Sequence, residues 1–410
     1  MILPSIDLYN GKAVQLRQGR EPVIEREDIF SLLDSFSIYG EVAIVDLNAA
    51  FGEGNNTDLI IEMAHRAPVR VGGGIRDLKT AQHYLKSGVT KVVIGTSAKE
   101  DWLTKLPKNQ IAIALDAWGD QWMTEGWRTS TPYSSEQVLK ELSCKCSEFL
   151  YTQIDKEGMM QGIDRERFKK ISMLSTLPVT FAGGITTLDD MKFIRELGAK
   201  AQVGMAVYTG KLDLMECFID QLDFEKQGLI PTVVQDIKSK EVLMLAYSSK
   251  DSISHAITKK KGIYFSRSRQ ELWEKGASSG NTQKLVKVEA DCDGDTLLMQ
   301  VEQNGPACHF NRYSCFPKTT KEFTIQDLND VLISRKVKLP ENSYTSRLFK
   351  DPELLNEKLR EEVEELIEAE KKEHVRWESA DLFYFTLVQA ISKGVEWQEI
   401  VQELGCRHAG

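Results

Sequence analysis

Val71-Gly72-Gly73-Gly74-Ile75 returns 110 residues later as Phe181-Ala182-Gly183-Gly184-Ile185. Gly95-Thr96-Ser97-Ala98 returns as Gly204-Met205-Ala206-Val207, and Ser5-Ile6-Asp7-Leu8 as Ala114-Leu115-Asp116-Ala117, both 109 residues on. Three collinear matches at almost one period mark a duplicated unit. Around them, short β-branched runs alternate with helical segments over residues 1–222. The runs Ile2–Ile6, Val42–Asp46, Val69–Gly72, Lys91–Gly95, Ile111–Asp116, Phe149–Ile154, Val179–Ala182 and Ala201–Val203 read as strands. A four-strand half used twice gives eight parallel strands, closed as a (β/α)8 TIM barrel.

The chain is longer than that barrel. Its 410 residues allow two to four domains, and 41 % hydrophobic with 28 % charged residues is ordinary globular usage. A net charge of −9 leaves no broad basic footprint, which excludes a general nucleic-acid binder. No apolar run is long enough to cross a membrane, and MILPSIDL lacks the layout of a signal peptide. Seven scattered cysteines argue for a reducing compartment, the cytoplasm, rather than a disulfide framework. The charged segment Asp223–Gln227 reads as a boundary. Residues 228–320 then carry short strands with turn signals, at Thr232–Gln235, Val242–Ala246, Ile263–Ser266, Leu285–Ala290 and Leu297–Gln303, and read as a small mostly-β metal-binding domain. After a polar stretch at Lys338–Tyr344, residues 341–410 read as all-helical, with helices over Leu354–Lys372, Val375–Lys393 and Trp397–Leu404. Leu355, Leu359, Val363 and Leu366 share one face there, which predicts a buried stripe.

Barrel chemistry belongs at the C-terminal ends of the strands. Asp7 closes the first strand and Asp116 the fifth, so the repeat sets two carboxylates across one mouth, equipment for acid–base work. Either alone is as well explained as a turn cap; the duplicated placement favours chemistry. Gly73, Gly74, Gly95 and Thr96 in one half, and Gly183, Gly184 and Gly204 in the other, let backbone N–H groups approach phosphate oxygens. Two such cradles half a barrel apart predict a substrate with two phosphate ends. Trp127 can stack on a flat heterocycle between them, or simply pack in a loop.

Together with Arg17-Gln18-Gly19, Asp46-Leu47, Gly74-Ile75-Arg76, Leu115-Asp116-Ala117 and Gly126-Trp127, this stretch of about 220 residues resembles the histidine-biosynthesis isomerases that act on ProFAR. The resemblance implies an Amadori rearrangement of an aminoaldose to an aminoketose. It makes Asp7 the general base and a carboxylate on the opposite side, Asp116 or Glu157, the general acid, with Arg17 and Arg76 joining the glycines at the phosphates. The sequence departs from the family at three places. Glu157 in Lys156-Glu157-Gly158-Met159 replaces the Asp of an Arg-Asp-Gly-Thr stretch, Trp118 stands where Arg is common, and Asn48 where Asp is common. The alternative reading keeps the barrel as a catalytically degenerate scaffold.

In the middle region, Asp291, Asp293 and Asp295 alternate in Asp291-Cys292-Asp293-Gly294-Asp295 and suit a hard cation such as Mg²⁺. Cys292, Cys308 and Cys315 form a Cys-x15-Cys-x6-Cys set suited to Zn²⁺, with a fourth position left open for water. His309 follows Cys308 and is either a proton shuttle or an ordinary polar neighbour. Arg267 and Arg269, with Lys275-Gly276, Ser279 and Asn281, read as a phosphate cradle. These motifs, with Gly305-Pro306-Ala307-Cys308-His309, resemble phosphoribosyl-AMP cyclohydrolases. The resemblance implies hydrolytic opening of an adenine ring by a zinc-bound hydroxide, in a dimer whose zinc ligands come from both subunits.

Toward the C-terminus, Glu362 and Glu365 share a helix face, as do Glu378 and Asp381 on the next helix. Four carboxylates converging between antiparallel helices call for cations, and Mg²⁺ bridging a polyphosphate fits. The plainer alternative is a solvated acidic helix. With Ser343-Tyr344-Thr345-Ser346, the set resembles phosphoribosyl-ATP pyrophosphohydrolases, apart from Phe385 where His is common. The three resemblances fall on successive steps of one pathway. They imply small phosphoribosyl nucleotides as substrates and a homodimer or higher homo-oligomer formed through the middle and C-terminal regions. A nucleotide-binding regulator without catalysis is the remaining rival.

Overall fold

Eight parallel strands close into a ring in the computed structural model, which describes residues 2–19, 21–225, 228–316 and 323–407. They run Ile2–Tyr9, Val42–Asp46, Val69–Gly72, Lys91–Ile94, Ile111–Trp118, Glu148–Gln153, Val179–Ala182 and Lys200–Val203. Each lies parallel to the next, and Ile2 opposite Ala201 closes the circle. The strands read from the sequence are these eight, displaced by three residues at most. Short strands buried on both faces, such as Val69–Gly72 and Val179–Ala182, are what a closed parallel sheet requires.

The duplication is visible in the backbone. Gly73 and Gly183 sit at φ of 95° and 93°, where a side chain is strained. A Cβ on Gly73 would lie 2.3 Å from the Asp46 carbonyl oxygen, and one on Gly183 2.4 Å from that of Gln153. Four residues beyond each of these glycines, Asp77 and Thr187 cap the following helices, Leu78–Lys86 and Leu188–Glu196. That is one further repeat match.

The opposite end of the barrel is closed by charge. Arg70 and Glu148, 1 % and 3 % exposed at their side chains, pair at 2.6 Å. Glu148 also accepts from Lys91 at 3.0 Å, Lys200 at 3.3 Å and Thr180 at 2.5 Å, and Arg70 also pairs with Glu41. Burial alone would push the Glu148 carboxyl up; the cations around it hold it well below its ordinary range.

Two hairpins, unread in the sequence, rise over the chemical end. Lys12–Arg17 with Glu21–Arg26 follows the first strand, and Gln121–Thr124 with Thr129–Ser134 follows the fifth. Asn10 and Gly11, at φ of 50° and 73°, make the two-residue turn that starts the first.

The middle region packs on the barrel in one compact unit reaching Phe316. Its four-stranded sheet is ordered Val242–Ser248, Ile230–Asp236, Leu297–Gln303, Gln283–Ala290. A hairpin, Ile263–Ser266 with Glu271–Glu274, and a helix, Lys250–Lys259, complete it. The five strands read from the sequence are present; the strand Glu271–Glu274 and the helix, capped by Ser249 and Ser252, were not read. The Asp223 N–H donates to the Gly294 carbonyl at 2.7 Å, joining the end of the barrel to the acidic turn.

Described residues from Phe323 to Gly405 form the second unit. Its helices are Ile325–Lys338, Tyr344–Lys350, Pro352–Glu368, Lys372–Ser392 and Trp397–Arg407. Leu332, Leu348, Leu355, Phe385, Leu387, Val388 and Ile391 make its core. Leu332 comes from a helix ahead of residue 341, so the core draws on chain before the polar stretch. One expectation fails here. Val363, placed on the buried stripe, is 42 % exposed, because the stripe turns away from the core beyond Leu359. Residues 226 and 227 of the boundary segment, and 317–320 and 408–410 at the ends of the expected domains, lie outside the described residues. No described helix is long and apolar enough to cross a membrane.

Candidate functional site

The mouth of the barrel holds a chamber of about 190 Å³, lined by alternate residues of the strands and by the loops that follow them. Asp7, Asp116 and Glu157 all reach it, together with Gly73, Gly74, Arg76, Gly95, Thr96 and Trp127. Asp7 is half-buried, and burial pushes its carboxyl from 3.8 up to about 7. Burial raises Asp116 as well, opposed by hydrogen bonds from the Thr152 hydroxyl and the Trp127 indole. Thr152 lies directly opposite Asp116 on the next strand, so sheet register supplies that donor. Glu157 is pushed from 4.5 up to about 7, first by burial and then by the charges of Asp7 and Asp116. Burial raises all three carboxyls, and like charge adds to it at Glu157. Glu157, where the resemblance expected Asp, thus lines the same chamber as Asp7 and Asp116.

The second glycine set opens beside the chamber. Gly183, Gly184 and Gly204 line a recess of about 20 Å³ that shares Glu157, Gln202 and Gly204 with it. A Cβ on Gly184 would meet the Gly162 carbonyl at 2.5 Å, so only glycine keeps the backbone exposed there. The two cradles thus flank the carboxylates. Above them lies a cleft of about 1090 Å³ between the two hairpins, lined by Tyr9, Phe51, Trp118, Trp127 and Arg128 among others. The Gln18 N–H donates to the Glu157 carbonyl at 3.1 Å, and Gly19 gives way to the Trp127 ring, which a Cβ would approach to 2.7 Å. The loops after strands one, five and six therefore meet over the acids.

Arg17 does not line these cavities; it is exposed and pairs with Glu21 at 3.3 Å. Asn48 is structural. Its side chain accepts from the Asn10 N–H at 2.7 Å and donates to the Asn10 side chain at 2.8 Å, holding the loop after the first strand. Sequence reading missed Gln15, Gln202 and Tyr208, whose buried Nε2, Oε1 and hydroxyl lack hydrogen-bond partners among the described residues; Gln202 lines the chamber. For Gln202 the signal was polarity inside a mostly apolar strand, Ala201-Gln202-Val203.

In the middle region the oxygen atoms of Asp291, Asp293 and Asp295 come within 4.8 Å of one another, a spacing one cation can bridge. The Cys308 and Cys315 thiols hydrogen-bond to each other. Cys292 does not join them within one chain. It is exposed on the acidic turn, 3.9 Å from an Asp293 oxygen. His309 is exposed with its ring 3.9 Å from that of Phe310. Arg267 lies over Tyr247 at 3.6 Å, and Arg269 bonds Ser266 at 3.3 Å. The Ser279 hydroxyl accepts from the Asn281 N–H at 3.3 Å. Gly276 and Gly305 pack against Asn281, where a Cβ on either would come within 2.5 Å. Lys275 is only 9 % exposed, and its charged neighbours are Cys315 and Cys308. The sequence showed that lysine without showing what it faces.

In the helical unit, oxygen atoms of Glu362, Glu365 and Glu378 lie within 4.8 Å of one another. Glu362 is raised by burial and then by Asp381 and Glu365; Glu378 by burial and then by Glu365 and Asp381. All four acids read from the sequence therefore converge between the helices Pro352–Glu368 and Lys372–Ser392.

Comparison with known proteins agrees with this division. Residues 1–213 match the family described as histidine biosynthesis protein. The chain belongs to that family. Residues 244–317 match phosphoribosyl-AMP cyclohydrolase, and 325–408 match phosphoribosyl-ATP pyrophosphohydrolase. The chain is 45 % identical over 183 residues to the histidine biosynthesis trifunctional protein of Kluyveromyces lactis, covering 44 % of this chain and 23 % of that protein. To the trifunctional protein of Komagataella pastoris it is 42 % identical over 239 residues, 58 % of this chain and 27 % of that one. To the histidine biosynthesis bifunctional protein HisIE of Bacillus subtilis it is 41 % identical over 201 residues, 46 % of this chain and 96 % of that one. The chain thus spans about a quarter of the trifunctional relatives and nearly all of the bifunctional one.

Proposed function

We propose that the chain carries three consecutive activities of histidine biosynthesis on small phosphoribosyl nucleotides, in the cytoplasm. The helical unit removes pyrophosphate from phosphoribosyl-ATP. The middle region opens the adenine ring of the resulting phosphoribosyl-AMP, and the barrel isomerises the product, ProFAR. The observation that carries this reading is that each matched segment gathers its own set of acidic or thiol side chains.

In the barrel, the glycine sets with Arg76 and Thr96 hold the two phosphate ends, and Trp127 covers the heterocycle. Asp7 and Glu157, both pushed to about 7, allow one carboxyl to donate while the other accepts at neutral pH. The acid, Glu157 or Asp116, gives a proton to the ribose ring oxygen as its bond to C1 opens. Asp7 takes the C2 proton, and protonation at C1 with loss of the hydroxyl proton leaves the aminoketose with no net gain or loss. Burial sets the Asp7 value, which suits a base of this strength.

The thiol pair Cys308 and Cys315 suits Zn²⁺, with Cys292 of a partner copy as the third ligand in a homodimer, since the three do not meet in one chain. Asp291, Asp293 and Asp295 suit Mg²⁺, as do Glu362, Glu365 and Glu378, oxygen donors at bridging distance, with Asp381 close enough to raise Glu362 and to join them. When bound, the thiol-held ion activates water and the oxygen-held ions neutralise phosphate charge. His309 would move protons in the opening step, and Arg267, Arg269, Ser279 and Asn281 would hold the phosphate. Three variants of the full chain test the assignment. Fed phosphoribosyl-ATP, Glu362→Gln should leave it unconsumed, Cys308→Ser should accumulate phosphoribosyl-AMP, and Asp7→Asn should accumulate ProFAR. All three halting at one step would refute separate centres.

A further inference from the structure

We propose that Gln202 binds a ribose hydroxyl of the barrel's substrate and so sets that sugar against the acids. The proposal rests on the reading of the barrel as an isomerase. Gln202 lies on the last barrel strand, Lys200–Val203, between Ala201 and Val203, which are 1 % and 2 % exposed. Side chains alternate along a strand, so those two pack outward and Gln202 turns inward, where it lines the chamber. It stands two residues before Gly204. At the same step of other strands stand Val93 before Gly95, Ala114 before Asp116 and Leu150 before Thr152, and these line the chamber too. With Ala182 they belong to one small buried apolar cluster. Ser5, two residues before Asp7, is polar but small. A long amide in that layer is costly, and its Oε1 is buried with no hydrogen-bond partner among the described residues. Packing alone would be served as well by an apolar side chain.

The position of the amide names the group it takes. Gln202 and Glu157 line both the chamber and the recess of Gly183 and Gly184. A phosphate held in that recess brings its own ribose against these two side chains. In the isomerisation C1, C2 and the ring oxygen react, and C5 carries the phosphate. The C3 hydroxyl is the free group left between them. It is a donor, and the Gln202 Oε1 is an acceptor; their bond holds C2 toward Asp7 while the ring opens. Gln15 is the rival partner. Its amide packs on Gly204, where a Cβ would lie 2.7 Å from the Gln15 Oε1, and its Nε2 also has no partner among the described residues. In the structure the two glutamines do not bond each other. If they did so in solution, Gln202 would support the fold and not the substrate.

The test uses the full chain, as wild type and as Gln202→Met, with ProFAR and with an analogue lacking the C3 hydroxyl. Leaving a buried hydroxyl unpaired costs about tenfold or more in turnover. Gln202→Met should lower kcat/KM for ProFAR by that factor, with pyrophosphate release and adenine-ring opening unchanged. Its urea midpoint should equal or exceed that of wild type, because an unsatisfied group has been removed. The analogue should cost wild type a similar factor and cost the variant nothing further. Wild-type kcat/KM in the variant would overturn the proposal. A lowered urea midpoint would do so too, since it marks a partner inside the protein. Turnover of the analogue by wild type as fast as ProFAR would overturn it without any variant. A wild-type chain that leaves ProFAR unchanged would instead sink the isomerase reading beneath it.

Discussion

Replacing Asp7 by Asn should make the protein more stable at alkaline pH while abolishing its isomerase activity. Burial moves the Asp7 carboxyl from 3.8 to about 7, so the folded state resists its ionisation. That displacement is roughly a thousandfold in proton affinity, and at ~1.36 kcal/mol per tenfold it destabilises the folded state by up to ~4 kcal/mol. The sign is fixed. An acid whose value is raised on folding costs nothing below 3.8, costs progressively more up to about 7, and stays at its full cost above that. Asn has no such cost, and it also removes one of the charges that raise Glu157. Solvent reaching the half-buried group reduces the effect, so ~2–4 kcal/mol is expected at pH 8 and almost none at pH 4. The assay is urea unfolding of both proteins across this range, with ProFAR turnover measured on the same samples. Equal stability at pH 8 would refute the argument from burial. A stabilised variant with undiminished turnover would refute the catalytic role.

Glu148→Gln should destabilise the barrel by ~3–5 kcal/mol at pH 7, since it leaves Arg70 buried with Glu41 alone. Because the Glu148 carboxyl is held below its ordinary 4.5, its contribution is complete above that value and is lost as the pH falls through the lower folded one. Acid unfolding should therefore begin at higher pH in the variant. Gly184→Ala puts a Cβ 2.5 Å from the Gly162 carbonyl at a φ of 81°, so ProFAR isomerisation should fall more than tenfold while both hydrolytic steps persist. Glu362→Gln, or removal of Mg²⁺ by a chelator, should lower pyrophosphate release by at least a hundredfold, and added Mg²⁺ should restore only the chelated wild type.

Most of the barrel was legible because its parallel strands are short, β-branched and mostly apolar runs, and because duplication printed its glycines twice. The hairpins went unread although Asn10-Gly11 is a strong turn signal, since Lys12–Arg17 mixes polar and apolar residues as an edge strand does. The helix Ile325–Lys338 was missed for a related reason. It buries only Asn329 and Leu332, too few positions to set a helical period. Asp7 and Asp116 could be read as candidate acids because they fall at repeated strand positions, and the helical carboxylates as candidate ligands because three-residue spacing holds each pair on one helical face. What Lys275 and Gln202 face is set by contacts between segments far apart in the chain, which no local pattern records. The dispersal of the cysteines belongs with these. Spacing grouped Cys292 with Cys308 and Cys315, and the fold separates them within one chain.

Product analysis of the full wild-type chain supplied with phosphoribosyl-ATP, Zn²⁺ and Mg²⁺ bears most directly on the idea that three centres work in series. The end products should be pyrophosphate and the ring-opened aminoketose in equal amounts, with no lasting ProFAR. ProFAR persisting as the final species, with the Asp7→Asn chain behaving identically, would contradict it and leave the barrel a support for two hydrolases.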